Sequence, residues 1–206
     1  MFNLIALVVF GSISFISMVE NIEAKPKYAE KFNVYESTDL LNNFGMPGNI
    51  DTPTAEAFPD GQFSMSSSVF GGSIRVNLSF QITEKLTGAF RYARVPSSGG
   101  DHRGYYWDRS FDVHYLVYKE SKYIPAIAIG LRDFIGTGIY SGEYMVATKS
   151  IYNKLKLSGG LGWGRLSGKN SFNNIFGLGD QRGAADVGRG GTPHLNRLFS
   201  GKNSPF

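Results

Sequence analysis

The stretch from Tyr123 to Ser150 reads YIPAIAIGLRDFIGTGIYSGEYMVATKS, and its pattern decides the fold class. Ile127, Ile129 and Leu131 alternate with Ala126, Ala128 and Gly130. Side chains on a strand point alternately to its two faces, so one face here is branched and apolar and the other is small. Asp133-Phe134-Ile135-Gly136-Thr137-Gly138 follows as a loop whose glycines accept positive φ. Glu143 to Ser150 returns as a second strand, with Tyr144 and Val146 on one face and Glu143, Met145 and Lys149 on the other. A small or charged face opposite an apolar one is the pattern of a transmembrane β-barrel. A soluble sandwich, which buries its apolar face between two sheets, is the alternative for this stretch taken alone.

The flanking sequence repeats the signal. Gln62 to Phe70 places Phe63, Met65 and Val69 opposite Gln62, Ser64, Ser66 and Ser68. Gly71-Gly72 then reads as a two-residue hairpin. Ile74, Val76, Leu78, Phe80 and Ile82 alternate with Arg75, Asn77, Ser79 and Gln81, the clearest period-two run in the chain. Leu86 to Ala93, Ser110 to Val117 and Leu155 to Trp163 alternate likewise. The count is about seven strands, each roughly as long as a tilted membrane-crossing strand. Connections after the second, fourth and sixth strands read as short, and those after the third, fifth and seventh as long. Such parity separates periplasmic turns from outer loops. Pro96 to Asp108, with Tyr105, Tyr106 and Trp107, is one of the long loops. Tyr92, Tyr144 and Trp163 near the long loops, and Phe80, Tyr118, Tyr123 and Tyr152 near the short turns, suit two interfacial girdles.

The fold class is therefore all-β: an antiparallel up-and-down outer-membrane β-barrel over 61–164, here an open partial barrel of about seven strands. Seven is odd, while single-chain bacterial barrels have even strand numbers. Closure is expected to need more polypeptide. Arg165 to Phe206 reads as a loop rich in Gly, Asn and Arg. Gly201 to Pro205 lacks alternation and carries a proline, which argues against a strand before Phe206. Residues 25–60 read as an extended periplasmic leader, since Gly45, Pro47, Gly48 and Pro53 argue against a helix. Residues 1–24 read as a signal peptide: Leu4 to Val19 is uncharged and mostly apolar, and Ala24 offers a small residue for cleavage. An uncleaved anchor and a buried core helix are the alternatives. Either of the first two readings sends the chain out of the cytoplasm, and a barrel places it in the outer membrane of a Gram-negative bacterium.

Composition narrows the function classes. A mean hydropathy of −0.16 is too polar for a helical membrane protein, whereas barrels hide apolar residues by alternation. Cysteine is absent, which removes disulfides, thiolate metal sites and a lipidated cysteine. The three histidines, His102, His114 and His194, have no metal-ligand spacing. No glycine run sits between a strand and a helix, so no phosphate loop and no cofactor is expected. A net charge of +4 from scattered Lys and Arg lacks the basic stripe of a nucleic-acid binder.

Several segments, in order, resemble the YjbH family of outer-membrane proteins linked to exopolysaccharide and capsule production. They are NFGMPGNIDTPT at Asn43–Thr54, DRSFD at Asp108–Asp112, KESKYIP at Lys119–Pro125, AIGLRDFIGTGIYSGEY at Ala128–Tyr144 and GGLGWG at Gly159–Gly164. The resemblance implies an outer-membrane barrel assisting export or assembly of a polysaccharide. It implies membrane lipid, polysaccharide and other polysaccharide-export proteins as partners. Family members are commonly lipoproteins and much longer, so this chain, lacking cysteine, reads as an N-terminal part or a truncated reading frame.

The candidate contact residues are the polar ones on the faces assigned to the lumen: Arg75, Arg91, Asp112, His114, Arg132, Glu143 and Lys149. They either bind a sugar polymer by charge-assisted hydrogen bonds or pair with one another inside a small barrel, and pairing is favoured. Arg132, Asp133 and Glu143 are expected to brace the glycine loop. Tyr105, Tyr106 and Trp107 either stack on sugar rings or anchor their loop at the membrane interface. An enzyme is not expected. Asp112 and His114 share a strand face, but nothing marks a nucleophile or a carboxylate pair. The alternative function is an anchored or periplasmic soluble β-sandwich that binds carbohydrate.

Overall fold

The computed structural model describes residues 40–96, 104–152, 155–168, 171–178 and 198–206. The signal segment expected at 1–24, the leader up to residue 39 and residues 179–197 of the loop expected at 165–206 lie outside them. Ten strands follow in chain order: β1 Gly48–Asn49, β2 Thr52–Pro53, β3 Phe63–Phe70, β4 Ser73–Thr83, β5 Leu86–Pro96, β6 Tyr105–Tyr118, β7 Ala126–Gly136, β8 Gly142–Ile151, β9 Leu155–Trp163 and β10 Asn203–Pro205. β1 and β2 form a small hairpin. The other eight make one antiparallel sheet in the order β10-β9-β8-β7-β6-β5-β4-β3, so β3 and β10 are its edges. Gly71 and Gly72, at φ 58° and 76°, join Phe70 directly to Ser73, as a tight hairpin demands.

The two faces have opposite chemistry. Arg75, Asn77, Ser79 and Gln81 of β4 are buried, and so are Thr87 and Arg91 of β5 and Asp108, Ser110, Asp112 and His114 of β6. The alternate residues Ile74, Phe80, Ile82, Phe111, Tyr115 and Val117 are exposed. A water-soluble sheet does the reverse. The buried face, called inner below, is covered by residues 40–58. Asn42 Oδ1 accepts hydrogen bonds from the Phe44 and Met46 amides, which curls this segment. The curl then rests on the sheet: Ser79 Oγ donates to the Gly45 carbonyl, the Phe58 amide to Gln81 Oε1 and the Ala55 amide to Thr148 Oγ1. A Cβ added at Gly45 would sit 2.6 Å from Asn77 Cβ, so the chain approaches the sheet closely at that glycine.

Several expectations are corrected. Among the described residues the sheet has eight strands, because Asn203–Pro205 adds to β9. The Phe206 amide donates to the Gly160 carbonyl, and the Gly160 amide to the Phe206 carbonyl. Bonded pairs alternate along an antiparallel ladder, so Ser204 faces β9 and Pro205 occupies a non-bonded slot. The missing N–H of Pro205 thus costs the ladder nothing. Asn203 turns its backbone the other way and pairs with Phe172.

The region expected as a loop, Pro96 to Asp108, is partly strand. Tyr105 pairs with Pro96, Tyr106 with Val95 and Trp107 with Arg94. The loop parity weakens too. The connection 119–125, expected to be short, is longer than 137–141, expected to be long. The girdle assignment fails for Tyr144 and Trp163, which are buried. Trp163 is packed by Phe176 and Phe199, with ring centroids 5.6 and 5.1 Å away.

Candidate functional site

The inner face is a hydrogen-bonded polar layer. Arg91 on β5 and Asp112 on β6 stand diagonally, two positions out of direct register on the same face, and Arg91 Nη1 donates to Asp112 Oδ2 at 2.8 Å. The other carboxylate oxygen of Asp112 accepts the Asp133 amide at 2.8 Å. Asp133 adopts φ 50°, which turns β7 out of its ladder opposite Asp112. Its own carboxylate accepts the Tyr140 amide at 2.9 Å. Asp133 therefore braces the glycine loop 137–141, as expected of it. Arg132 donates instead to the Asp51 carbonyl at 3.2 Å, and Glu143 accepts the Phe199 amide at 3.2 Å.

A second chain of contacts clasps the covering segment. Tyr144 Oη and His114 Nδ1 are 2.9 Å apart, and His114 Nε2 lies 2.8 Å from the Glu56 carbonyl. Tyr144 reaches His114 because Gly130 lies opposite it. A Cβ on Gly130 would be 2.0 Å from the phenol ring. The small face of β7 is thus a slot for an aromatic ring. This reverses the face assignment of β8: Tyr144, Val146 and Thr148 point inward. Lys149 points outward and bonds Glu120 Oε1 at 2.7 Å and the Ser121 carbonyl at 2.6 Å. Glu143 is buried on that outward side under Phe199, so neither Glu143 nor Lys149 lines the inner face.

The other candidates split by position. Arg75, Arg91, Asp112, His114 and Arg132 are all buried on the inner face. Tyr106 packs inward against Ala93 and Val95. Trp107 points outward and stacks on Tyr92, with ring centroids 5.0 Å apart, and Tyr105 lies under the Arg94 guanidinium at 4.1 Å. The sheet does not join Tyr105 and Trp107 to the buried charges.

Three guanidinium groups converge on one ring. Arg132, Arg91 and Arg75 lie 3.7, 4.9 and 5.0 Å from the Phe44 ring centre. Tyr140 closes the group edge-on to Phe44, with its hydroxyl 3.0 Å from Ser73 Oγ and 3.3 Å from Arg75 Nη2. Beside them opens a cleft of about 410 Å³, lined by Phe44, Asp51, Phe70, Arg75, Arg132, Tyr140 and Arg165 among others. Phe44, Tyr140 and Arg165 are the site residues that alternation in the sheet strands does not reveal. Phe44 lies in the Asn43–Thr54 motif and Tyr140 in the glycine loop, so segment resemblance was the only signal for both.

Known proteins agree with the segments singled out in the sequence. A family model described as exopolysaccharide biosynthesis protein YbjH matches residues 40–206. The uncharacterized lipoprotein YjbH of Escherichia coli (strain K12) is 30% identical over 141 residues, which cover 65% of this chain. The match spans 20% of that relative's length. No solved structure matches significantly. The chain belongs to the YjbH family of exopolysaccharide biosynthesis proteins.

Proposed function

We propose that the chain forms part of the wall of an outer-membrane β-barrel, with its N-terminal side periplasmic, that assists export or assembly of an extracellular polysaccharide without itself catalysing a reaction. One observation carries this reading. Strands β4 to β7 bury charged and amide side chains and present Ile, Leu, Phe, Tyr and Val on the opposite face. Water would penalise that outer face, and lipid would solvate it. The family description supplies the polysaccharide. Asp112 and His114 are each engaged by structural partners, Arg91 with the Asp133 amide and Tyr144 with the Glu56 carbonyl, which favours a scaffold over an acid–base pair. Edges β3 and β10 need pairing in lipid, where each unsatisfied backbone group costs several kcal/mol.

A second reading, an anchored water-soluble β-protein that binds carbohydrate, draws on the relative's printed name of lipoprotein. The absence of cysteine permits a clean discrimination. A single cysteine replacing Leu78 on the outer face should resist a water-soluble maleimide in intact membranes and react with a lipid-soluble one. Ready labelling by the water-soluble reagent would reject the barrel and favour the anchored protein.

A further inference from the structure

We propose that the cleft beside Phe44 binds the carboxylate of an acidic sugar, so that the polymer handled is a uronate-type polysaccharide. This deepens, and rests on, the polysaccharide-export reading above. Arg75 is 5% exposed, yet among the described residues its Nε and Nη1 have no hydrogen-bond partner. Its one bond goes to Tyr140 Oη at 3.3 Å. A guanidinium carries five donors, and a buried cation left without partners is costly. Arg91, its neighbour across the ladder, has Asp112 as counter-ion, whereas no ion pair joins Arg75 or Arg132 to a described carboxylate. Arg132 lies 3.7 Å from the Phe44 ring centre and spends one donor on the Asp51 carbonyl. Arg165 stands exposed at the rim.

Three guanidinium groups thus face one cleft whose lining holds a single carboxylate, Asp51, itself bonded to Asn43 Nδ2 at 3.0 Å. At about 410 Å³ the cleft has the size of a small-molecule pocket. Phe70, 52% exposed at the cleft, offers a flat apolar face to the C–H side of a sugar ring while the arginines take its carboxylate in the forked geometry they favour. A bare phosphate has no use for that aromatic face.

The test is a binding titration on the full chain in membranes, with tetragalacturonate as probe. Maltotetraose, inorganic phosphate and a short-chain phosphatidic acid are the comparison ligands. Tetragalacturonate should bind, weaken with added salt, and be at least tenfold tighter than maltotetraose. Arg75→Gln and Arg132→Gln should each lower its affinity about tenfold. Arg165→Gln, at an exposed position, should lower it about threefold while protease resistance stays unchanged, which guards against misfolding of the buried variants. Equal binding of maltotetraose would overturn the carboxylate assignment and leave the export reading standing. Binding of phosphatidic acid and phosphate but not of tetragalacturonate would overturn the sugar. Failure of every ligand, with folding intact, would overturn the site. Failure of the membrane reading shows separately, as water-soluble labelling of a cysteine at position 78.

Discussion

Along β4, Ile74, Phe80 and Ile82 are 42%, 38% and 56% exposed, while Arg75, Asn77 and Ser79 between them are 5%, 0% and 1% exposed. The same backbone therefore carries a polar buried face and an apolar exposed one. The inner face is specified by hydrogen bonds and the buried Arg91–Asp112 ion pair, each with few acceptable partners. The outer face is specified only by being apolar, so its residues are interchangeable in kind. Substitutions on the two faces should accordingly differ in cause. Inner ones act by orphaning a buried group, and outer ones, in the proposed barrel, by placing charge where lipid cannot solvate it.

The largest effect is expected on the inner face. Asp112→Ala removes the counter-ion of Arg91, which is fully buried, and the acceptor of the Asp133 amide. Breaking a buried pair by deleting one partner costs about 3–5 kcal/mol. Loss of the Asp133 anchor should also free the glycine loop, read as new proteolysis between Thr137 and Ser141. Stability measured by urea-dependent protease protection in membranes from expressing cells checks both. An Asp112→Ala protein as resistant as the parent would show that the pair is dispensable.

The outer face gives the next effect. Leu78→Arg puts a charge among apolar outward neighbours, and in a barrel near the membrane midplane that costs about 2–4 kcal/mol. The measurement is the amount of protease-protected protein in the membrane fraction. A silent Leu78→Arg would mean that this face meets water, and the contrast between the faces would lose its explanation.

Gly130→Val sharpens the comparison from within the inner face, where size rather than polarity is at issue. The added carbons would enter the space of the Tyr144 ring, and overpacking of this kind costs about 1–3 kcal/mol. Because Tyr144 holds His114, and His114 the Glu56 carbonyl, the covering segment should loosen first. Protease sites around residues 40–58 should open before the sheet does. Tyr144→Phe, which keeps the ring and loses the hydroxyl, should show the loosening without the overpacking.

Period two in the sequence is a statement about side-chain direction, and it located the sheet because β3 to β9 alternate without long interruptions. The Gly71-Gly72 hairpin was readable for the same reason, since two positive φ values leave few alternatives to glycine. Three features were not readable. The inward side of β8 depends on a hole at Gly130 in a different strand, and its own sequence, with Tyr144 and Val146 opposite Glu143 and Lys149, points the other way. β10 is only Asn203–Pro205, too short for a period, and its place is set by Phe206 lying against Gly160. The convergence of three arginines on Phe44 joins strands distant in sequence to a segment with no period at all. Arginine positions were legible, but their common target was not.

The smallest effect concerns a residue whose role was misassigned. Lys149, expected in the lumen, sits half-exposed at the turn end of the sheet, where it ties β8 to the 119–125 connection. Glu120 takes its ammonium at 2.7 Å and the Ser150 amide at 2.9 Å. The hydrogen bond from Lys149, then that from the Ser150 amide, hold the Glu120 carboxyl down to about 2, against an ordinary value of 4.5. A carboxylate whose pKa is lowered on folding stabilises the folded state most above its unfolded value. Its contribution should be complete above about pH 4.5 and disappear as the pH falls towards about 2. Other carboxylates titrate in the same range, so the difference between parent and Glu120→Gln is what reports this group. The two should unfold apart at neutral pH and converge in acid. Salt should narrow the neutral-pH gap, because the pair is solvent-accessible. A gap that persists at pH 2 would assign the Glu120 contribution to packing, and a gap insensitive to salt would place the pair in a drier setting than its exposure indicates.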